Sequence, residues 1–241
     1  YKSLFFIFTV QMTYTSKRIK RISVSQTLEM SKRSQELREK GVDIIDMSVG
    51  QPDFPTPAHI KEAAKEAIDE NYTFYTPVPG YSDLREVISE KLKKENNLDF
   101  SKNQIVVTNG AKQALANTIL TLINKGDEIL VPTPYWVSYA ELINLAEGKN
   151  KFIKTDISTN YKVTAEQIEK AITKKTRILV YSSPSNPAGS VYSKEELKAI
   201  ADVIKKHKEI YVISDEIYEH INFIGKHESI AQFDEIKDRV I

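Results

Sequence analysis

Residues 177–189 read RILVYSSPSNPAG, and residues 210–218 read IYVISDEIY. Each stretch begins with a β-branched and apolar run, which is typical of a strand buried on both faces of a sheet. Polar and turn-forming residues follow each run. Between the two stretches, Ser193 and Glu196 have the spacing of a capping box, which predicts the start of a helix. The pattern therefore predicts two parallel strands joined by a helix.

The same alternation of strand and helix extends toward the N-terminus as far as residue 104. Thr164 and Gln167 form a second capping box at the start of one of these helices. Apolar strands separated by amphipathic helices indicate the α/β class, with a mostly parallel sheet covered by helices on both faces. The predicted strands are residues 104–108, 128–131, 151–154, 177–181 and 210–214, and the predicted helices are residues 111–122, 136–145 and those that follow Thr164 and Ser193.

The preceding part of the chain has a different character. Residues 71–81, NYTFYTPVPGY, are rich in proline and tyrosine, and a connection of this length inside a domain indicates a functional loop. Thr56 is predicted to cap a helix with Pro57 at its first position. The other predicted elements are a helix over residues 26–40 that stops at Gly41, a short strand over residues 43–47, and a helix from Ser82 to about residue 95.

Three parts of the chain are predicted. Residues 1–11 are interpreted as a non-native or upstream extension, with Met12 as the natural start, because a basic stretch at residues 17–21 follows directly. The apolar run at residues 4–10 is far shorter than the roughly 20 residues of a membrane span. A signal peptide is the alternative, although an A-x-A-like cleavage site is missing. Residues 12–55 are expected to form an arm and part of a small domain, and residues 56–241 the large domain. Residues 239–241 resemble the start of a further strand, so both ends suggest a fragment.

The composition argues against several classes of function. The 241 residues include 34 Lys and Arg against 33 Asp and Glu, and a formal charge of +1 gives no reason to expect nucleic acid or a membrane as partner. The absence of cysteine excludes disulfides, thiolate metal sites and cysteine nucleophiles. The four histidines lack the spacing of a metal site, so no metal is expected. A cytoplasmic protein is the resulting expectation.

Ligands of open α/β sheets bind outside the carboxyl ends of the strands, so the residues after each predicted strand are candidate site residues. Gly110, Ala111 and Lys112 open a helix after the strand at residues 104–108, where free backbone N–H groups can hold a phosphate; a plain tight turn is the alternative. Trp136 is the single tryptophan and offers a flat face for a heteroaromatic ring, although tryptophan is more often part of a core.

Polar side chains follow the two remaining strands. Asn186 can donate to a phenolate-like oxygen or a carboxylate, unless it only shapes a turn. Asp215 ends a buried strand and needs a partner such as a protonated ring nitrogen, unless it caps a turn, and Tyr218 can face the same ligand. A phosphate cradle, a stacking ring, a donor and an acid together match pyridoxal 5'-phosphate, whose ring nitrogen is kept protonated by a carboxylate.

The chain resembles the class I aminotransferases of pyridoxal-phosphate fold type I, and among them the bacterial-type aspartate aminotransferases. The resemblance covers roughly residues 17–241 and implies a mostly parallel sheet with part of a smaller domain, pyridoxal phosphate as cofactor, and a homodimer. The matching segments, in family order, are SVGQPDFPTP (48–57), YTPVPGYSDLRE (75–86), VVTNGAKQAL (106–115), PTPYWVSY (132–139), SPSNPAGSVY (183–192) and SDEIYEH (214–220).

The resemblance implies a role for each matching residue. The backbone N–H of Gly50 would lie near the substrate α-carboxylate, and Tyr75 would reach across a dimer interface to the cofactor phosphate of the partner subunit. Gly110, Ala111 and Lys112 would form the start of the phosphate-binding helix.

Further matching residues would surround the cofactor ring. Trp136 would stack on the ring, Asn186 and Tyr218 would bond its 3'-oxygen, and Asp215 would hold its nitrogen protonated. Trp136 and Asn186 would also line the substrate site, where Asn186 helps to bind the carboxylate. Ala188 stands where the family commonly has threonine, which is a mild departure.

The family's Schiff-base lysine would follow the next strand, beyond Ile241, as would the arginines for the phosphate and the substrate carboxylate. Lys226 and Lys237 precede that strand and are not offered as substitutes. We therefore expect the chain alone to be inactive, with weak and non-covalent cofactor binding at best.

The resemblance implies the N-terminal part of an aminotransferase of amino-acid metabolism. Its parent would move an amino group between an amino acid, aspartate-like or aromatic, and a 2-oxo acid. Two alternatives stay open, because a fold does not decide the reaction. One is a pyridoxal-phosphate lyase or synthase of the same fold, and the other is a non-catalytic pseudoenzyme fragment.

Overall fold

A computed structural model describes residues 14–23, 26–47 and 50–241. Its sheet has four parallel strands in the order β2-β1-β3-β4. The strands are β1 (Glu128–Thr133), β2 (Lys149–Lys154), β3 (Thr176–Ser182) and β4 (Tyr211–Asp215). The α-helices are α1 (Gln26–Glu39), α2 (Ala58–Asp69), α3 (Ser82–Asn96), α4 (Ala111–Leu122), α5 (Ser138–Leu145), α6 (Ala165–Ala171) and α7 (Lys194–Lys205).

Alternating side chains of the strands build one apolar core on each face of the sheet. Ile178 and Val180 of β3 point to the face that α4 and α5 cover. Leu179 and Tyr181 point to the opposite face, which α6 and α7 cover together with residues 230–236. This period of two is what a strand buried on both sides produces. The predicted α/β fold is therefore confirmed.

Local signals set the start of the helices that cover the sheet. The hydroxyl of Thr164 accepts the N–H of Gln167, and the hydroxyl of Ser193 accepts the N–H of Glu196, so both predicted capping boxes are confirmed. Strands and helices from residue 111 onward agree with the predicted ones to within about two residues, as is usual for element ends. The described part of the chain has no helix long and apolar enough to cross a membrane.

Two predicted strands are wrong. Residues 102–104 form a 3₁₀-helix, and residues 105–108 join no strand ladder, although the N–H of Val107 donates to the carbonyl of Pro79 at 2.9 Å. Residues 43–47 are also extended without a ladder, and Ile45 is 90% exposed. A β-branched run becomes a strand only beside a neighbouring strand, which the described residues do not supply for either segment.

The predicted cap at Thr56 is wrong as well. Helix α2 begins at Ala58, and Pro57 is its N-cap residue, with no side-chain cap. The carbonyl of Pro57 accepts the N–H groups of Ile60 and Lys61, which leaves Thr56 outside the helix. The helices predicted at residues 26–40 and from Ser82 are confirmed, and residues 71–81 form a loop as expected. The division at residues 11 and 55 stays a prediction, and residues 1–11 lie outside the described part.

The last residues run beside β4. Val240 bridges Val212 in parallel, the N–H of Ile241 donates to the carbonyl of Val212 at 2.9 Å, and the N–H of Ser214 donates to the carbonyl of Ile241 at 2.9 Å. The strand-like start predicted at residues 239–241 is therefore confirmed at Val240 and Ile241. This contact lies on the β4 side of the sheet, next to the residues that form the candidate site.

Candidate functional site

A cavity of about 150 Å³, lined by several polar side chains, lies at the carboxyl ends of the strands. It brings together most of the residues that the sequence predicted for the cofactor ring, with the first residue of α4 at its edge. Its lining residues are Ala111, Trp136, Tyr139, Ser182, Asn186, Asp215, Ile217 and Tyr218. Segments far apart in the chain meet here because parallel strands end at one edge of the sheet.

Asp215 is the last residue of β4, and its carboxylate faces this cavity. The hydroxyl of Tyr139 donates to its Oδ2 atom at 2.5 Å, and the N–H of Ile217 lies 3.4 Å from its Oδ1 atom. Burial, and then the charge of Asp215, raise the pKa of Tyr139 far above the ordinary 10.0. Tyr139 therefore stays a hydrogen-bond donor and holds the carboxylate in one orientation.

Tyr139 is a site residue that the sequence reasoning missed. It lies three residues after Trp136, in the first turn of α5, and the two rings meet edge to face with centroids 5.7 Å apart. The spacing of three residues within the segment PTPYWVSY was the available signal, because residues three apart share a helix face.

Asn186 and Tyr218 lie together on the same cavity. The Nδ2 atom of Asn186 is 3.4 Å from the hydroxyl of Tyr218, which is a long hydrogen bond. The loop that carries Asn186 is closed by the N–H of Ser185, which donates to the carbonyl of Ser190 at 2.9 Å, and by the N–H of Gly189, which donates to the carbonyl of Ser185. The two polar groups are thus held side by side, where both can reach one ligand oxygen.

The first backbone N–H groups of α4 are free to bind a ligand. Gly110 is the N-cap residue with φ of 84°, a backbone conformation that favours glycine, and no side chain caps the helix. In the part of the chain that the structure describes, no protein group accepts the N–H of Ala111 or Lys112. The Nζ atom of Lys112 lies 5.0 Å from the centre of the Trp136 ring. Free amides, the helix dipole and a nearby ammonium make this end suitable for an anion.

Gly110 and Lys112 lie at the start of α4 without lining the cavity, and two further predicted site residues lie at neither place. Tyr75 is fully exposed in the loop at residues 71–81. Gly50 has no heavy atom within 4 Å of the position of a Cβ, so its surroundings are open. Neither lies among the lining residues, and their roles stay predictions. The exposure of Tyr75 leaves it available to another subunit.

We expect the chain to lose stability at alkaline pH. Burial raises the pKa of Tyr139, Tyr181 and Tyr192 above the ordinary value of 10.0. Above pH 10 the unfolded chain therefore releases tyrosine protons that the folded chain keeps, so the free energy of unfolding falls as pH rises, by about 1 kcal/mol per buried tyrosine at pH 11. Urea unfolding at pH 9 and pH 11 measures this loss.

The substitution Tyr192→Phe isolates the contribution of one buried tyrosine. It should make the loss between pH 9 and pH 11 smaller, whereas Tyr14→Phe, at an exposed position, should leave the loss unchanged. Equal losses in the wild type and in Tyr192→Phe would show that the buried hydroxyl has an ordinary pKa.

The sheet order and the cavity at its carboxyl edge define an open-sheet α/β protein. The sequence pattern of the family described as aminotransferase class I and II matches residues 42–240, and the chain belongs to this family. The family depends on pyridoxal phosphate.

Curated relatives are longer than this chain. A probable aspartate/prephenate aminotransferase of Rickettsia bellii is 45% identical over 231 residues, which are 95% of this chain and 58% of the relative. An aspartate aminotransferase of Bacillus subtilis is 41% identical over 228 residues, 94% of this chain and 58% of the relative. The chain thus spans a little over half the length of these relatives.

Solved structures agree with the sequence comparison. The aspartate aminotransferase of Rhizobium meliloti superposes with a TM-score of 0.91 at 37% identity, covering 94% of this chain and 57% of that structure. The aspartate aminotransferase of Thermus thermophilus with maleate has a TM-score of 0.90 at 38% identity, covering 95% and 59%. The fold expected from the resemblance is therefore confirmed, over the part of it that this chain includes.

Proposed function

We propose that this chain is the cofactor-binding part of a pyridoxal-phosphate-dependent aminotransferase. The whole protein would move an amino group between an aspartate-like or aromatic amino acid and a 2-oxo acid. The observation that carries the proposal is the cavity in which the Asp215 carboxylate lies with Trp136 and the start of α4. A carboxylate at the end of a buried strand needs a cationic or hydrogen-bonding partner, and a protonated pyridine nitrogen is such a partner.

The residues around the cavity fit each part of the cofactor. The free amides of Ala111 and Lys112 suit the phosphate, and the Trp136 ring suits the face of a pyridine. Asn186 and Tyr218 together suit the ring oxygen, because one donates through its amide and the other through its hydroxyl. When bound, pyridoxal phosphate supplies an electron sink for bond breaking at the substrate α-carbon.

The side chains of this chain would orient the cofactor and hold a proton on it. The Asp215 carboxylate would hold a proton at the ring nitrogen, and the Tyr139 hydroxyl would keep that carboxylate aimed at it. Trp136 would exclude water from one face of the ring. Lys112 would add positive charge at the phosphate end, because it lies in the first turn of α4.

The names of the relatives support an acidic amino acid as one substrate. The relatives from Rickettsia bellii and Bacillus subtilis are named for aspartate, with prephenate added for the former, and the Thermus thermophilus structure was determined with maleate. Maleate and aspartate are both dicarboxylates of four carbons, and prephenate is a 2-oxo acid with a second carboxylate. We therefore favour aspartate as amino donor and a 2-oxo acid as acceptor. Homodimer formation and a cytoplasmic location stay predictions.

The complete gene product, read past codon 241, tests the proposal. With aspartate and a 2-oxo acid it should release the 2-oxo acid of aspartate together with a new amino acid. Release of ammonia or a thiol instead would support the lyase or synthase alternative. A complete product that binds no pyridoxal phosphate would overturn the proposal, and one that binds it without reaction would support the pseudoenzyme.

Asn186→Ala should weaken the binding of pyridoxal phosphate to this chain by about fivefold to tenfold. The change removes one hydrogen bond to the ring oxygen, which is worth about 1 kcal/mol. Quenching of the fluorescence of Trp136, the single tryptophan, gives the dissociation constant. Asn117→Ala, at an exposed position of α4, is the matched control. An unchanged affinity in Asn186→Ala would remove this residue from the site.

A further inference from the structure

Behind the candidate site, a second acidic residue is embedded in a hydrogen-bond cluster. Glu216 follows Asp215, and its carboxylate lies on the opposite side of the sheet. Its Oε1 atom accepts the hydroxyls of Ser214 and Ser229, both at 2.7 Å, and its Oε2 atom lies 2.8 Å from Nε2 of His227. Successive residues of a strand point to opposite faces of the sheet, which explains why the carboxylates of Asp215 and Glu216 lie on opposite sides. Nothing in the proposed chemistry uses this cluster.

His227 is more deeply buried than Glu216, its partner in this cluster. Its side chain is only 9% exposed and that of Glu216 is 20% exposed. The Nδ1 atom of His227 is buried and has no hydrogen-bond partner. Because the other oxygen of this carboxylate accepts two hydroxyls, we assign the Nε2 atom of His227 as the donor to Glu216. Leaving one nitrogen of a buried imidazole without a partner costs free energy. The contact with Glu216 is therefore the hydrogen bond that holds the His227 ring in place.

The cluster joins the end of β4 to a buried part of the core. The last ladder pair of β4 is Ser182 with Asp215, so the sheet no longer holds the backbone at Glu216. Ser229 caps the short helix Ile230–Gln232, and Ile230 is fully buried. Between these two points the chain forms an exposed loop. The bonds from Glu216 to Ser229 and His227 therefore close this loop and anchor the residue next to Asp215.

We propose that His227 and Glu216 are positioning residues for Asp215. They fix the backbone at the end of β4 from the face opposite the cavity, and so set where the Asp215 carboxylate meets the cofactor ring. This inference rests on the proposed function, because it concerns the same cofactor site. His227→Ala removes both the hydrogen bond and the bulk, whereas His227→Gln keeps an amide N–H that can donate to Glu216.

Two measurements on the full 241-residue chain test the proposal. In the absence of cofactor, the amides of residues 216–218 should exchange with deuterium about tenfold faster in His227→Ala than in the wild type. On addition of pyridoxal phosphate, His227→Ala should bind about tenfold more weakly, and the circular dichroism of the bound ring should change. His227→Gln should restore the exchange rate, the affinity and the dichroism to near wild-type values.

His207→Ala is the matched control, since His207 also pairs with a glutamate, Glu169, at 3.4 Å but on the surface. It should change none of these quantities. Unchanged exchange and affinity in His227→Ala, in a chain whose Asp215→Asn variant has lost affinity, would overturn the positioning role. A loss that His227→Gln does not rescue would also overturn it. If wild type and Asp215→Asn bind pyridoxal phosphate equally, the proposed function fails, while the exchange measurement still decides the positioning role.

Discussion

Asp215→Asn is expected to weaken the binding of pyridoxal phosphate to this chain by about 100-fold. The asparagine keeps the shape of the side chain but has no negative charge to pair with a protonated ring nitrogen. Loss of one partner from a desolvated, hydrogen-bonded charge pair costs about 2–5 kcal/mol, and tenfold in affinity corresponds to about 1.4 kcal/mol. Trp136 lines the same cavity, so its fluorescence reports the titration.

Asp202→Asn is the control for the loss of one negative charge. Asp202 lies on α7 and forms a surface ion pair with Lys198, far from the cavity lining. It should leave the affinity within about twofold of the wild type, because a surface ion pair contributes little. A second titration with pyridoxal, which lacks the phosphate, should show weaker binding in both variants. Equal affinities in Asp215→Asn and Asp202→Asn would mean that the cofactor ring does not meet Asp215.

Leu197→Ala should lower the free energy of unfolding by about 3 kcal/mol. Leu197 is fully buried on the inner face of α7, in the core that faces Leu179 of the central strand β3. Removing its side chain loses the transfer free energy of the methyl groups and leaves a cavity, and such changes cost about 2–5 kcal/mol. Urea unfolding, followed by circular dichroism, measures the difference.

Leu120→Ala is matched to this substitution, because Leu120 also lies on a helix but is half exposed. It should change the free energy of unfolding by less than about 1 kcal/mol. If the two variants are equally stable, α7 does not pack on the sheet as described. A large loss in Leu120→Ala alone would instead indicate that the outer side of α4 is covered in solution.

Where local signals specify an element, the sequence predicted it well. The capping boxes at Thr164 and Ser193 set the start of two helices, and the apolar runs at β1, β3 and β4 pack on both faces. The strands expected at residues 43–47 and 104–108 failed for a non-local reason, since each needs a partner that the described residues do not contain. Strand propensity describes how a segment fits a sheet, and it does not supply the neighbour.

The candidate site was predicted in part for the same reason. Trp136, Asn186, Asp215 and Tyr218 each follow a strand, and the parallel sheet brings their ends together. Tyr139 was missed although its spacing from Trp136 was a signal, because its bond to Asp215 depends on how α5 packs beside β4. The pair of His227 and Glu216 was missed because it depends on how the loop after β4 folds back on itself.

A titration of the ¹⁵N-labelled chain with pyridoxal phosphate, followed by NMR, locates the cofactor without any variant. The largest shifts should occur at the amides of Ala111 and Lys112, which open α4, and at the indole N–H of Trp136 and the amides around Asp215, which border the cavity. Inorganic phosphate should shift only the two amides of α4. Shifts confined to surface lysines, such as those of β2, would show that the cavity at the carboxyl edge of the sheet is not the cofactor site.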